Sequence, residues 1–168
     1  GKFTYANVGN GGNGHLAFAS FLMGEGLEAT SVPYTGGTAD CYTAMMGGEV
    51  NAAVYGEADL LARPECHGVI NLGSKSTMES LADIPTLTDL GYEGYETNNM
   101  AGFFYHKDVP DAAVTAFEAA VESVLTDEAF VTRATEAGFV PYFATGAELD
   151  EMAHQAMETS QPVIDSLG

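Results

Sequence analysis

The residues best placed to do chemistry form a glycine-rich loop that follows Asn7 near the start of the chain. The loop has the pattern G-x-G-x-x-G and consists of Gly9, Asn10, Gly11, Gly12, Asn13 and Gly14. Glycines let backbone N–H groups point outward at the start of a helix, where the partial positive charge favours an anion. The loop is therefore predicted to bind an anionic group through its backbone, with Asn7 as a further ligand-binding residue.

The same spacing occurs in loops that bind dinucleotides, which offers an alternative interpretation. A dinucleotide site also needs an acidic residue at the end of the second strand, where it holds the ribose hydroxyl. Here that strand ends in Pro33, Tyr34 and Thr35. An α/β enzyme that binds a phosphate or nucleotide at the glycine loop is kept as the alternative, and no cofactor is predicted.

Two further strand-to-helix turns are expected beside the glycine loop. The first contains Tyr34, Thr35, Gly36 and Gly37, with Thr38 predicted to cap the next helix, and the second contains Tyr55. None of the three turns contains Lys or Arg. An anion held there would contact backbone dipoles, amides and hydroxyls, which suits a carboxylate that must be released again.

Alternating strand and helix patterns position these turns. Strands are predicted at 3–8, 29–34, 50–55 and 69–72, and helices at 15–23, 38–47 and 57–62. This alternation indicates an α/β fold with a parallel-rich sheet and flanking helices, in which ligands bind at the carboxyl ends of the strands.

The pattern changes after residue 73, and a boundary is predicted near 95–100. Residues 1–98 are expected to form the ligand-binding lobe, and residues 99–168 the C-terminal part of a second, discontinuous lobe. In that part, strands are predicted at 101–105 and 139–143, and helices near 111–125, near 127–137 and after Thr145, which with Glu148 has capping-box spacing. Pro162 is expected to kink or end the last helix.

The charge balance excludes several classes of partner. The chain carries 24 Asp and Glu against 5 Lys and Arg, a formal charge of −19. Nucleic acids and anionic membranes both require clustered cations, so neither is an expected partner. Cys41 and Cys66 are predicted to lie at opposite edges of the sheet as free, partly buried thiols.

Other candidate residues have simpler explanations. His15 could contact an anion or hydrogen-bond a neighbouring loop, and Asp40, Glu57 and Asp59 could hold calcium or simply complement helix dipoles. The other histidines lack the spacing of a zinc site, and no serine lies in a G-x-S-x-G motif. The chain is therefore predicted to have no metal site and no catalytic residue.

A set of motifs is spread over nearly the whole chain. The first, at the glycine loop, is Tyr5-Ala6-Asn7 with Gly9, Gly11, His15 and Leu16. Further segments follow in order: Val32-Pro33-Tyr34, Gly47-Gly48-Glu49-Val50, Ile84-Pro85-Thr86-Leu87, Leu90-Gly91-Tyr92, Gly102-Phe103-Phe104 and Ala137-Gly138-Phe139. Together these motifs resemble those of the Bug proteins, the solute receptors of tripartite tricarboxylate transporters.

The resemblance implies a type II-like periplasmic binding protein with two lobes, which captures a small organic carboxylate and delivers it to a membrane permease without catalysis. A carboxylate-sensing receptor is the second alternative. The resemblance also implies that the signal peptide and about the first third of a family member are not in this chain. Residues 99–168 are then expected to be poorly packed, paired with another copy, or completed by another segment.

Four positions differ from the family pattern, and they concern the ligand more than the fold. Gly12 replaces a common Ser, Thr35 a Lys, Tyr55 an Asp and Met100 a Trp.

Overall fold

Three short strands alternate with three helices in the first part of the chain. The computed structural model describes residues 2–97, 99–137, 139 and 141–167. The elements are β1 (Thr4–Asn7), α1 (Asn13–Gly24), β2 (Thr30–Pro33), α2 (Thr38–Met46), β3 (Ala52–Ala53) and α3 (Glu57–Leu61). The strands form a parallel sheet in the order β2-β1-β3. This confirms the predicted α/β fold with flanking helices.

All three strands end at the same edge of the sheet, here called the carboxyl edge, because they run parallel. Asn7 at the end of β1 pairs with Pro33 at the end of β2, and Ala6 pairs with Ala53 of β3. The predicted strand 50–55 is shorter in the structure, although Asn51 and Val54 also donate backbone hydrogen bonds to β1. α1, α2 and α3 therefore all begin at this edge.

The core lies between the central strand and the helices. Tyr5 and Ala6 of β1 are buried, and Ala6 packs in a cluster with Cys41, Ala44 and Val50. Across the sheet, the ring of Tyr5 meets Phe18 of α1 edge to face, with ring centroids 4.8 Å apart. The small side chains of α2 let the helix pack closely on β1, which fixes where α2 begins.

The predicted fourth strand at 69–72 is not formed. Asn71 makes a single parallel bridge with Thr86, and its N–H donates to the Pro85 carbonyl at 2.8 Å. Val69 is 79% exposed. An apolar run becomes a strand only where a neighbouring strand accepts its hydrogen bonds, and this segment has a one-residue partner. Two short 3₁₀ helices follow, Glu79–Leu81 and Thr88–Leu90.

The chain divides into two compact units: unit 1 comprises 1–99 with 156–168, and unit 2 comprises 100–155. The helices α4 (Asp111–Leu125) and α5 (Glu128–Glu136) match the predicted ones, and α6 covers Gly146–Leu167. Asn99 belongs to unit 1 in this division. The assignment of 99–168 to a second lobe stays a prediction.

Unit 2 lacks the strands that the sequence pattern predicts. Residues 101–105, 139 and 141–143 form no strand, and Val140 lies outside the described residues. In the described part of unit 2, no hydrophobic side chain is fully buried. Two apolar cavities, of about 530 and 390 Å³, lie beside α4 and α5 and share Leu125 and Phe130. The extended segment 101–105 covers the apolar face of α4 only in part, since the Phe117 ring meets those of Phe103 and Tyr105 edge to face while Val124 is 49% exposed.

The start of α6 confirms the predicted capping box. The Thr145 N–H donates to Glu148 Oε2 at 2.8 Å, and the Glu148 N–H donates to Thr145 Oγ1 at 3.3 Å. Of the two expectations for Pro162, an end of the helix is not found, since α6 continues to Leu167, and a kink stays a prediction. Proline removes one hydrogen bond of a helix, and the neighbouring turns can maintain it. Among the described residues, no helix combines the length and apolar character needed to cross a membrane.

Both cysteines are free, as predicted. Cys41 is completely buried rather than partly buried, and Cys66 is half-buried.

Candidate functional site

Three helices begin at the carboxyl edge, and each is capped by a glycine. Gly12 precedes α1, Gly37 precedes α2 and Gly56 precedes α3, and none of these helix starts has a side-chain cap. In unit 2, by contrast, Asp127 caps α5 by accepting a hydrogen bond from the Phe130 N–H at 2.9 Å. Helix starts without caps leave N–H donors unpaired, so the carboxyl edge presents donors that an anion can use.

Asn7 holds loop 1, residues 8–12, to the neighbouring strand. Its Oδ1 accepts a hydrogen bond from the Gly9 N–H at 2.8 Å, and its Nδ2 donates to Ser31 Oγ at 2.6 Å. The side chain is 1% exposed. Gly9 and Gly11 have φ values of 142° and 78°, which only glycine adopts readily. Asn7 therefore holds loop 1 in its conformation. The exposed Asn10 of this loop lies beside Ser31.

Much of the hydrogen-bonding capacity of loop 1 is used inside the loop. The Gly11 N–H donates to His15 Nδ1 at 3.0 Å, and the Gly12 N–H donates to the Gly9 carbonyl at 3.2 Å. Burial lowers the pKa of His15, so the ring is neutral at neutral pH and Nδ1 can accept. Of the two interpretations of His15, the structure favours the hydrogen bond to a loop.

The open donors next to loop 1 lie in the first turn of α1. Within the described part of the chain, the N–H groups of Asn13 and Gly14 have no acceptor. Gly14 is also a close-packing position, because a Cβ there would lie 2.9 Å from Cγ1 of Val54. The first turn of α1 therefore packs against loop 3, residues 54–56, which follows the neighbouring strand β3.

Loop 2, residues 34–37, extends the pairing of β1 and β2. The Tyr34 N–H donates to the Asn7 carbonyl at 2.8 Å, and Thr35 and Gly36 beyond it are exposed. Thr38 does not cap α2 as predicted. Gly37, with φ of 86°, is the N-cap, and Thr38 is the first helical residue. Its Oγ1 instead donates to Asp59 Oδ1 at 2.9 Å, because α3 brings that carboxylate next to the start of α2.

Tyr55 is half-buried at loop 3, and its ring packs against the core cluster around Ala6 and Cys41. Its hydroxyl is buried and has no hydrogen-bond partner among the described residues. Burial raises the pKa of Tyr55 to about 12, so the phenol is neutral. The ring therefore forms a wall of loop 3.

Arg63 is a charged residue near the site that the sequence analysis missed. Its Nη1 donates to Asp59 Oδ1 at 2.8 Å, and its guanidinium lies over the ring of Tyr55 at 5.2 Å. Arg63 follows α3 and lies outside all three loops, whereas the predicted site residues were taken from the loops and their ends. The signal that could have found it is the four-residue spacing from Asp59, which is typical of an ion pair on a helix.

These features suit reversible binding more than covalent chemistry. Cys41 lies in the first turn of α2, but burial raises the pKa of its thiol and disfavours the nucleophilic thiolate. Asp59, one of the three considered for calcium, is engaged by Thr38 and Arg63. No three His, Cys, Asp or Glu side chains in the described ranges are arranged to hold a metal ion.

The whole chain, residues 1–168, matches the family model described as the tripartite tricarboxylate transporter family receptor, TctC. The chain belongs to this family. The structure brings together the predicted TctC-family site residues of loops 1 to 3 at one edge of the sheet, and their contact with a ligand stays a prediction.

Two curated relatives are similar in sequence over almost the entire chain. A UPF0065 protein of Bordetella pertussis is 26% identical over 170 residues, which cover 100% of this chain and 52% of the relative. A UPF0065 protein from the TAR-I ttuE-ttuC′ intergenic region of Agrobacterium vitis is 24% identical over 170 residues, which cover 98% of this chain and 49% of the relative. The chain thus spans about half the length of these relatives, less than the two thirds expected from the sequence motifs.

Solved structures share the fold. A TctC solute-binding protein from Polaromonas has a TM-score of 0.73 at 19% identity, with 98% of this chain and 58% of that chain covered. The periplasmic binding protein BugD has a TM-score of 0.62 at 20% identity, with 97% of this chain and 56% of that chain covered. An R. palustris protein solved with adipate has a TM-score of 0.64 at 23% identity, with 95% of this chain and 56% of that chain covered.

Proposed function

We propose that this chain is the ligand-contacting α/β part of a periplasmic solute-binding receptor that captures a small organic carboxylate for a membrane permease. The observation that carries the proposal is the set of three glycine-capped helix starts at one edge of the sheet. Helix starts of this kind bind anions through backbone N–H groups and the helix dipole.

The carboxylate is proposed to lie against the first turns of α1 and α2. Asn13 and Gly14 would donate from α1, and the start of α2 after Gly37 would donate from the other side. Since the loops contain no Lys or Arg, the ligand would be held by several modest hydrogen bonds. Such binding is reversible, as delivery to a permease requires.

The similarity to known receptors supports this class of ligand. The related R. palustris protein was solved with adipate, a linear dicarboxylate. The half-buried, neutral Tyr55 of loop 3 would add an apolar surface, which suits the hydrocarbon part of such an acid.

The first test is native mass spectrometry of the purified chain after incubation with a mixture of mono-, di- and tricarboxylates. We expect a retained mass that matches one carboxylate per chain. A parallel sample with ATP and NAD tests the enzyme alternative. Retention of a nucleotide but no carboxylate would contradict the proposal. Retention of no acid at concentrations up to about 1 mM, a Kd that corresponds to a binding free energy of about −4 kcal/mol, would contradict it as well.

A further inference from the structure

A single guanidinium lies next to the carboxyl edge, although the three loops contain no cation. Arg63 Nη1 donates to both the backbone oxygen and Oδ1 of Asp59, each at 2.8 Å. The same Oδ1 accepts the hydrogen bond from Thr38 Oγ1 at 2.9 Å. One carboxylate oxygen therefore joins the guanidinium to the first residue of α2, beside the proposed anion site.

Two aromatic rings hold this cation in place. The Arg63 guanidinium carbon lies 5.3 Å from the ring centroid of Tyr42 and 5.2 Å from that of Tyr55. The Tyr42 hydroxyl in turn donates to Glu65. Guanidinium is weakly hydrated and stacks well on aromatic faces, and the Arg63 side chain is only 16% exposed. Its charge is thus fixed in position and only partly screened by water.

The surroundings of this cation are strongly acidic. Asp40 lies in the first turn of α2, Glu57 and Asp59 lie in the first turn of α3, and the chain carries −19 overall. An anionic ligand is repelled by such a protein unless a nearby positive charge offsets the field. In the described part of the chain, Arg63 is the cation linked to a proposed site residue.

We propose that Arg63 is a specificity-determining residue whose charge, balanced against that of Asp59, sets the affinity of the site for anionic ligands. This inference rests on the proposed function. It differs from a purely structural role, in which the pair would simply fasten α3 to α2. In the structural role, damage to either partner weakens binding. In the charge role, loss of Arg63 weakens binding and loss of the Asp59 charge strengthens it.

The test compares Asp59→Asn and Arg63→Gln in the full chain, with adipate as the probe and calorimetry at low and at high salt. Asparagine keeps the Oδ1 acceptor for Thr38 and Arg63, so Asp59→Asn preserves the contacts and removes only the charge. We expect Arg63→Gln to weaken adipate binding by about threefold to tenfold and Asp59→Asn to strengthen it by a similar factor at low salt. Both effects should shrink at high salt, because salt screens partly exposed charges.

The outcomes separate this inference from the proposed function. Weaker binding by both variants, or no effect of Asp59→Asn, would overturn the charge role while wild-type binding upholds the proposed function. A wild-type chain that binds neither adipate nor any other carboxylate overturns both. If Arg63→Gln fails to fold, Asp59→Asn decides between the two roles, because it keeps the contacts and removes only the charge: tighter adipate binding than wild type supports the charge role, and equal or weaker binding overturns it.

Discussion

The Gly11 N–H donates a hydrogen bond to Nδ1 of His15, 3.0 Å away, and closes loop 1 against the first turn of α1. The imidazole is 3% exposed and stacks beside Tyr5, with ring centroids 6.4 Å apart. Nδ1 can accept this bond only when that nitrogen carries no proton. The shape of the glycine loop is therefore coupled to the protonation of one buried histidine.

Acid should weaken the fold through His15. Burial lowers its pKa below 6.5 in the folded chain, so the unfolded chain binds the proton first as the pH falls. This contribution to the free energy of unfolding is complete above about pH 6.5 and decreases below it. We expect the free energy of unfolding, measured by urea titration, to fall more from pH 7.5 to pH 5.5 for wild type than for His15→Gln. Glutamine keeps an acceptor but does not titrate. Equal losses would contradict this role of His15.

Replacing Asn7 should destabilise the chain much more than replacing Asn10. Asn7→Ala leaves the Gly9 N–H and the Ser31 hydroxyl without their partner in a buried position, at a cost of about 1–3 kcal/mol. The control Asn10→Ala removes an exposed side chain with one long contact of 3.4 Å to Ser31, and should change stability by less than about 0.5 kcal/mol. Urea unfolding measures both, and similar losses would refute the role of Asn7.

The carboxyl-edge loops could be located from the sequence because glycine and helix-start signals are local. Gly37 and Gly56 end their turns where the pattern places them. The importance of Asn7 as a buried anchor was not predicted, since its partner Ser31 lies on a different strand. Arg63 lies outside the three loops, and its spacing from Asp59 is a local signal of an ion pair. Its contacts with Tyr42 and Tyr55, in contrast, join different elements, and no local pattern indicates them.

The predicted strands failed where the described part of the chain offers no neighbouring strand to pair with. Residues 69–72 and 101–105 are apolar enough to be strands, yet only Asn71 finds a bridge, with Thr86. Strand formation depends on a neighbour that sequence periodicity does not reveal. The helices α4 and α5 were predicted well because their hydrogen bonds close within the helix.

Close packing at Gly14 should be detectable by a compensating pair of substitutions. Gly14→Ala places a Cβ 2.9 Å from Cγ1 of Val54, which we expect to cost about 1–3 kcal/mol despite the better helix propensity of alanine. Val54→Ala removes that methyl group, so the double variant should be more stable than the sum of the single changes predicts. Additive effects in urea unfolding would show that the contact is relaxed.

Unit 2 should exchange its backbone hydrogens much faster than the sheet of unit 1. The predicted strand segment 101–105 forms no ladder, and Phe103 and Phe104 within it are 70% and 84% exposed. Amides that lack buried hydrogen bonds exchange from nearly native states. We expect rapid hydrogen–deuterium exchange at 101–105 and slow exchange in β1, measured by mass spectrometry at two protein concentrations. Protection at 101–105 that rises with concentration would instead indicate pairing with a second copy.

The most direct test of carboxylate binding removes one backbone donor from the start of α1. Asn13→Pro deletes the N–H at the first helical position, which proline tolerates, and the preceding Gly12 already has the extended conformation that proline requires. Asn13→Ala keeps the N–H and removes only the side chain. Glu128→Pro makes the same backbone change at the first residue of α5, a helix of unit 2.

Calorimetric titration measures the affinity of each of these three variants for the carboxylate that wild type retains. Loss of one hydrogen bond to a charged group corresponds to about 1.5–3 kcal/mol, so Asn13→Pro should bind about 10-fold to 100-fold more weakly than wild type. Asn13→Ala and Glu128→Pro should stay within about threefold of wild type. If Asn13→Pro folds and binds as tightly as Asn13→Ala, the helix start does not hold the carboxylate, and the central claim is wrong.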